Sequence, residues 1–147
     1  MKKASIIIIT TIILGTLIFL GIRFFGNKKA KIILVDYKQY QTIKQNNDTF
    51  IIIFSMSKNK STETLEYEIS QTLKNKKTKV YELDLDEIDK SYYSKLLDEI
   101  NDIKQKESDT INIPTIAIYK DSRIVYVHEG FIDNKEFNNT MNEYNIK

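Results

Sequence analysis

The stretch from Ile113 to Val125 reads Ile-Pro-Thr-Ile-Ala-Ile-Tyr-Lys-Asp-Ser-Arg-Ile-Val, and it contains Pro114, the only proline of the 147-residue chain. The apolar and β-branched residues after this proline predict a strand over residues 115–119. A second strand, residues 123–128, follows after Lys-Asp-Ser, a separation typical of a β-hairpin. The stretch therefore predicts a proline turn that leads into two antiparallel strands.

Three segments upstream of this hairpin also predict strands. Residues 50–54 read Phe-Ile-Ile-Ile-Phe, a continuously apolar run that is typical of a strand buried on both faces. Residues 79–84 alternate between polar and apolar side chains, and residues 32–35 form a brief apolar run. We therefore expect five strands.

Apolar residues at intervals of three and four predict four helices. The first follows Asp36, a residue type that caps helices, and runs to about Gln45. The second covers residues 62–75, the third residues 92–103, and the last follows Gly130. The order β-α-β-α-β-α-β-β-α predicts an α/β sandwich of three layers, with early parallel strands and a late antiparallel edge.

This order and three local motifs resemble the thioredoxin-like fold superfamily. The strand over residues 50–54, a short loop and a helix stand where that family has its central strand and redox motif. The run Lys-Val-Tyr-Glu-Leu-Asp-Leu-Asp-Glu over residues 79–87 is similar to the family's Lys-Val-Asp-Val-Asp strand. Residues 113–125, followed by Gly130, look like the family's Val-Pro-Thr-Leu-x-x-Phe-Lys-x-Gly-x-x-Val and its later glycine. The resemblance covers about residues 31–144 and implies a thioredoxin-like three-layer sandwich with a cis bond before Pro114.

The chain departs from that family at the residues that carry its chemistry. It contains no cysteine. A count without gaps from the central strand places the family's Cys-x-x-Cys at Asn59, Lys60, Ser61 and Thr62, and it places Ile53 where the family has a buried aspartate. Because thiol–disulfide exchange requires a thiolate, the sequence predicts a redox-inactive relative that is not an enzyme.

The hydroxyl groups of Ser61 and Thr62 suggest a second interpretation of this degenerate motif, as nucleophiles. A hydroxyl nucleophile needs a base, and the only histidine, His128, lies at the far end of a hairpin strand. We therefore expect Ser61 or Thr62 to cap the second helix. An anion held by Lys58 and Lys60 is a further possibility, although solvated surface charge explains both lysines.

Metal ions and cofactors have no sequence signature here. Asp84, Asp86, Glu87 and Asp89 form an acidic cluster, but they lack the glycine and the spaced final glutamate of a calcium-binding loop. One histidine without further ligands does not make a zinc site. We therefore expect a solvated strand end at the acidic cluster, no metal and no cofactor.

The N-terminal residues 1–29 predict a membrane anchor, and residues 30–147 predict the thioredoxin-like domain. Residues 4–22 form an apolar run of 19 residues without a charge, enough for a helix across the hydrocarbon core. A cleaved signal peptide is the alternative, but the run is long for one and no small-x-small cleavage site follows it. Basic residues flank both ends and favour a cytoplasmic domain weakly. A short basic N-terminus is typical of a signal-anchor, so we expect the domain on the extracytoplasmic side of the cell membrane.

The charge distribution argues against a nucleic-acid partner. Residues 1–29 carry five basic residues and no acid, whereas the whole chain has a net charge of +2. The domain is therefore left with a net charge of −3, although nucleic-acid binding needs basic residues on the domain itself.

The binding site that the resemblance implies needs no cysteine. In this fold the loop before the cis-proline leaves backbone groups available beside the old redox loop, and an extended peptide can pair with such an edge. Here the edge is Asn112, Ile113 and Pro114, faced by residues 57–62. We expect a peptide- or protein-binding accessory factor, with the tethered bacteriocin transport accessory proteins as the nearest type. A structural or immunity-type membrane protein, and a redox partner, remain as alternatives.

Overall fold

The computed structural model describes residues 32–46, 49–57, 59–74, 76 and 78–146. Within them the predicted order of elements is confirmed. The elements in chain order are β1 (Ile32–Val35), α1 (Tyr37–Gln45), β2 (Phe50–Ser55), α2 (Lys60–Thr72), β3 (Val80–Asp84), a short 3₁₀ turn (Leu85–Glu87), α3 (Lys90–Lys104), β4 (Thr115–Lys120), β5 (Arg123–Glu129) and α4 (Asn134–Glu143).

The five strands form one mixed sheet in the order β1-β3-β2-β4-β5. Strand β3 pairs in parallel with both β1 and β2, because helices connect these strands and return the chain to the same end of the sheet. Strand β4 runs antiparallel to both β2 and β5. The prediction of early parallel strands and a late antiparallel hairpin is therefore confirmed.

Two layers of helices cover the sheet, and each layer encloses its own core. The aromatic face, which α1 and α3 cover, contains Tyr40, Phe50, Tyr81 and Tyr119 among its buried residues. The aliphatic face, which α2 and α4 cover, is built mainly from isoleucine and leucine side chains and also contains Phe137. Strand β2 is buried along its whole length because its alternate residues supply both cores.

The expected membrane anchor, residues 1–29, lies outside the described residues. Among the residues that the structure does describe, no helix is both long enough and apolar enough to span a bilayer.

Candidate functional site

The loop after β2 and the loop before β4, which the sequence predicts to face each other, meet at one end of the sheet. The end of β2 and the start of β4 are paired in antiparallel register, with Phe54 opposite Thr115. Ser55 follows Phe54 and Pro114 precedes Thr115, so the two loops continue from this last pair. On the other side of β2, Ser55 is in register with Asp84 of β3. This end of the sheet therefore brings together three segments: the degenerate loop after β2, the proline loop before β4 and the end of β3.

The four degenerate positions begin helix α2, although not as the sequence predicts. Asn59 is the N-cap, and its side-chain oxygen accepts a hydrogen bond from the Ser61 N–H at 2.9 Å. The expected cap at Ser61 or Thr62 is wrong because α2 already begins at Lys60, which makes both of them helical residues. Ser61 is exposed, whereas Thr62 is only 4% exposed and faces the protein interior.

The acidic residues at the end of β3 hold the loop that precedes α2. The Ser57 N–H donates a hydrogen bond to Asp86 Oδ2 at 3.0 Å, and the Ser57 hydroxyl donates to Asp84. Asp84 also accepts a hydrogen bond from the Asp86 N–H at 3.0 Å. Asp86 is exposed and Asp84 is partly exposed, so the end of β3 is solvated as expected, and both carboxylates also accept hydrogen bonds from the neighbouring loop.

The proline loop is tied to the end of β5. The Ile113–Pro114 peptide bond is cis, as the resemblance predicts. The Pro114 carbonyl accepts a hydrogen bond from the Gly130 N–H at 2.7 Å, and the Asn112 carbonyl accepts one from the Thr115 hydroxyl. Gly130 has a φ of +87°, a left-handed conformation in which a side chain is strained.

Glu129 fixes the side chain of Asn112 from the neighbouring strand. Glu129 Oε2 accepts a hydrogen bond from Asn112 Nδ2 at 3.0 Å, while Oε1 lies 2.5 Å from Lys104 Nζ. Burial alone would raise the pKa of Glu129, but the hydrogen bonds from Lys104 and Asn112 outweigh it and hold this pKa below its ordinary value. Glu129 is therefore ionised at neutral pH and restrains the proline loop.

Ile113 retains the backbone groups that an extended ligand could use. Among the described residues, neither its N–H nor its C=O makes a hydrogen bond, and the residue is only half-buried. Two exposed apolar residues stand in the adjoining segments, after β5 and after β2. Phe131, which is 55% exposed, follows Gly130, and Met56, which is 38% exposed, follows Ser55. We call Asn112, Ile113, Pro114 and Phe131 the proline edge.

A cleft of about 400 Å³ lies on the other side of the degenerate loop. Its polar wall contains four carboxyl groups, those of Glu63, Glu66, Glu82 and Asp84, and we call it the acidic cleft. Burial raises the pKa of Glu66 to about 7, and the neighbouring carboxyls of Glu82 and Glu63 add to the shift. Glu66 therefore exchanges its proton near neutral pH, which is unusual for a glutamic acid.

Sequence reasoning missed this cleft. Alternation along β3 places Val80, Glu82 and Asp84 on the face opposite Tyr81 and Leu83, and that alternation was a usable signal. No pattern in the sequence, however, links Glu82 with Glu66, which belongs to a different element.

The geometry offers no activated hydroxyl or metal centre among the described residues. His128 Nε2 lies 2.9 Å from the Phe131 carbonyl oxygen, and Nδ1 lies 3.7 Å from Glu136, so both ring nitrogens have local partners. Within the described part of the chain, no group of three or more acidic or histidine side chains is arranged to hold a metal ion.

Comparison with known proteins identifies the fold but not a family. No family model and no curated protein matches the sequence. Three similar solved structures are thioredoxins. A variant thioredoxin from Halobacterium salinarum is 16% identical with a TM-score of 0.60, and the match covers 81% of this chain and 96% of that one. A thioredoxin from Malassezia sympodialis is 12% identical with a TM-score of 0.59, covering 81% and 94%. A thioredoxin from Nicotiana alata is 15% identical with a TM-score of 0.54, covering 80% and 96%. The chain therefore has a thioredoxin-like fold, and it contains no cysteine.

Proposed function

We propose that this chain is a membrane-tethered, redox-inactive protein that binds an extended peptide or protein segment as an accessory factor. The observation that carries the proposal is the backbone of Ile113, whose N–H and C=O make no hydrogen bond with described residues at a half-buried position. Unused backbone groups beside a sheet are the requirement for pairing with an added extended segment.

The side chains around Ile113 suit such a ligand. An extended peptide beside the proline edge presents alternate side chains on opposite sides, and Phe131 and Met56 are exposed apolar residues in the segments that follow β5 and β2. The Lys104–Glu129–Asn112 chain of polar contacts restrains the loop before binding. A restrained loop loses less conformational entropy when a ligand binds, which favours affinity.

Binding of this kind needs no thiol, so the loss of both cysteines does not affect it. A thioredoxin-like protein without cysteine has no nucleophile to form a mixed disulfide, and Asn59 and Thr62 serve α2 as its cap and as a buried residue. The proposal therefore assigns the chain a binding role without catalysis.

The membrane part of the proposal rests on the apolar run over residues 4–22 and on the basic residues that flank it. The combination of one anchor and one thioredoxin-like domain resembles the bacteriocin transport accessory proteins. Export of a bacteriocin, or another step in the handling of envelope proteins, is accordingly the process that we propose for it.

Photocrosslinking in the cells that make the protein tests the binding role. The full chain carries p-benzoylphenylalanine at Phe131 or at Asn112, both exposed at the proline edge, and the control carries it at Lys120, exposed at the opposite end of β4. We expect light-dependent adducts of one size from the first two positions and none from Lys120. No adduct at the proline edge would contradict the binding role and favour a structural or immunity-type protein.

Protease treatment of intact cells tests the tether and its orientation. We expect the domain to be degraded in intact cells while the N-terminal segment stays with the membrane fraction. A domain that is degraded only after cell lysis would overturn the extracytoplasmic orientation, and a mature N-terminus beyond Ile22 would overturn the anchor.

A further inference from the structure

Strand β3 connects a basic end of the sheet with an acidic end. It begins directly after Lys79, whose carbonyl accepts a hydrogen bond from the Ile51 N–H at 3.2 Å, so Lys79 lies beside the start of β2. It ends at Asp84, and Asp86 and Glu87 follow in the 3₁₀ turn. The charge therefore changes sign along one strand, from the end where β2 and β3 begin to the end where they finish.

The turn between β4 and β5 adds basic residues to the first of these ends. Tyr119, near the end of β4, pairs with Phe50 at the start of β2, so the turn lies at the same end as Lys79. Lys120 and Arg123 stand opposite each other across the turn, and both are exposed. Two separate segments of the chain thus bring basic side chains to one end of the sheet.

We call Lys76, Lys79, Lys120 and Arg123 the basic end. Among the described residues, Lys76, Lys120 and Arg123 form no ion pair, and the exposed Asp121 of the same turn offsets only part of the charge. Residues 30–147 as a whole carry a net charge of −3, so the basic end has the opposite sign to the domain that contains it.

The chain also enters the domain at this end. Strand β1 begins at Ile32, which pairs with Val80 at the start of β3. The apolar run of the predicted anchor ends at Ile22, and residues 23–31 separate it from β1. Fully extended, a segment of that length spans at most about 30 Å. The opposite end of the sheet lies about 20 Å farther away, because β2 has six residues and a strand rises about 3.3 Å per residue.

An anionic lipid surface acts on basic residues at short range only. The Debye length is about 8 Å at physiological ionic strength, so such a surface attracts the near end of the domain and hardly affects an end about 20 Å farther away. A tether keeps the near end close to the headgroups, which amounts to a high effective concentration. Nucleic acids and soluble polyanions have no such placement, so the arrangement favours lipid as the partner.

We propose that the basic end lies against anionic headgroups of the membrane that holds the anchor, and that this contact points the proline edge away from the bilayer. The inference rests on the proposed membrane tether and adds the orientation of the domain on it. Thr115 pairs with Glu129 at the far end of β4 and β5, so the proline edge, which adjoins this pair, is remote from the basic end. A partner segment then reaches the proline edge without displacing lipid.

Single-molecule energy transfer between the domain and the bilayer tests this orientation. The chain contains no cysteine, so Thr49→Cys and Phe131→Cys each accept one donor dye; Thr49 is exposed beside the start of β2, and Phe131 belongs to the proline edge. The full chain is placed in nanodiscs that contain an acceptor-labelled headgroup, made either of phosphatidylcholine alone or with an equal part of phosphatidylglycerol.

We expect a population with high energy transfer for Thr49→Cys in the anionic discs and much lower transfer for Phe131→Cys. This population should decrease in the neutral discs, which offer no anionic headgroups to the basic end. It should also decrease in the anionic discs at about 1 M salt, where the Debye length falls to about 3 Å.

Charge variants, made in the Thr49→Cys chain, identify the residues that are responsible. Lys120→Gln combined with Arg123→Gln should lower the ratio of high-transfer to low-transfer molecules about 25-fold, because each basic residue near an anionic surface contributes about fivefold. Lys90→Gln combined with Lys135→Gln is the matched control. It removes the same charge from two exposed residues in the first turns of α3 and α4, and it should leave the ratio unchanged.

The contrary outcomes separate the orientation from the tether. Equal transfer at the two labels, transfer that does not depend on lipid charge, or equal effects of the two double variants would overturn the orientation. Alkaline carbonate extraction of vesicles that contain the full chain tests the tether by itself. A chain that stays with the lipid supports the tether, so that charge-independent transfer then refutes the orientation alone, whereas release of the chain would refute both.

Discussion

The two faces of the sheet differ in whether their polar side chains have oppositely charged or hydrogen-bonding partners. On the aromatic face, the hydroxyls of Tyr40 and Tyr119 lie 2.5 Å apart, the Tyr119 hydroxyl donates to Glu99 Oε2 at 3.3 Å, and Glu99 Oε1 lies 2.5 Å from Lys44 Nζ. On the aliphatic face, the core ends at the acidic cleft, where Glu66 and Glu82 hydrogen-bond to each other without a counter-ion among the described residues. The buried Thr62 Oγ1 has no hydrogen-bond partner among the described residues.

This difference separates polar groups that stabilise one another from carboxyl groups that repel one another. The polar side-chain atoms that link Tyr40, Tyr119, Glu99 and Lys44 all have partners. Burial raises the pKa values of both tyrosine hydroxyls and so keeps them protonated. In the acidic cleft, by contrast, burial and the neighbouring carboxyls of Glu82 and Glu63 disfavour the ionised form of Glu66. Natural proteins accept such local costs mainly at functional sites, so the contrast between the two faces is worth testing by mutation.

The largest expected effect comes from the hydrophobic core itself. Ile53 is fully buried in the aliphatic face, so Ile53→Ala should lower the free energy of unfolding by about 2–5 kcal/mol through lost burial and a residual cavity. Ile33→Ala is the matched control, because Ile33 is 39% exposed on β1 and should cost much less. Urea unfolding of the full chain in detergent measures both. Equal losses at the two positions would contradict the placement of β2 at the centre of the core.

A smaller effect is expected from the polar chain on the aromatic face. Tyr119→Phe keeps the ring stacked on Phe50, at 4.7 Å between centroids, and removes only the hydroxyl between Tyr40 and Glu99. We expect a loss of about 1–3 kcal/mol in the free energy of unfolding, because the buried Tyr40 hydroxyl is left without its partner. Tyr92→Phe, at a ring that is 38% exposed, should change stability by far less. A neutral Tyr119→Phe would show that the polar chain does not stabilise the aromatic face.

The smallest effect concerns the acidic cleft and depends on pH. The pKa of Glu66 is about 7 in the folded protein and near 4.5 in the unfolded chain, so the folded protein binds this proton more tightly. Its contribution to stability is therefore present at low pH and is lost as pH rises from about 4.5 to about 7. Glu66→Gln should remove that loss and be more stable than the unmodified chain at pH 8, by about 1 kcal/mol or less, because the pair is partly solvated.

Chemical unfolding at pH 5 and at pH 8 measures this difference, with Glu143→Gln as the control for loss of one surface charge. The sign matters more than the size. If Glu66→Gln is less stable than the unmodified chain at pH 8, the carboxyl groups do not repel one another, and the contrast between the two faces disappears.

Much of the architecture was predictable because its signals are local. The apolar run at Phe50 predicts a doubly buried strand, Asp36 predicts the start of α1, and the resemblance of the motif around Pro114 to the thioredoxin-like family implies the cis bond; all three are confirmed. The absence of cysteine is likewise a property of the sequence alone, and it removes thiol chemistry whatever the fold. Each of these conclusions depends on residues that are close neighbours along the chain.

Only the tertiary structure decided which side chains meet and which backbone groups stay available. Asn59, Ser61 and Thr62 are all residue types that cap helices, and the structure places the N-cap of α2 at Asn59. Glu66 of α2 meets Glu82 of β3 because separate elements converge at one end of the sheet. The same convergence leaves the Ile113 N–H and C=O without a hydrogen bond among the described residues. A local pattern contains no information on such contacts, because they depend on the register of strands and the packing of helices that the whole chain establishes together.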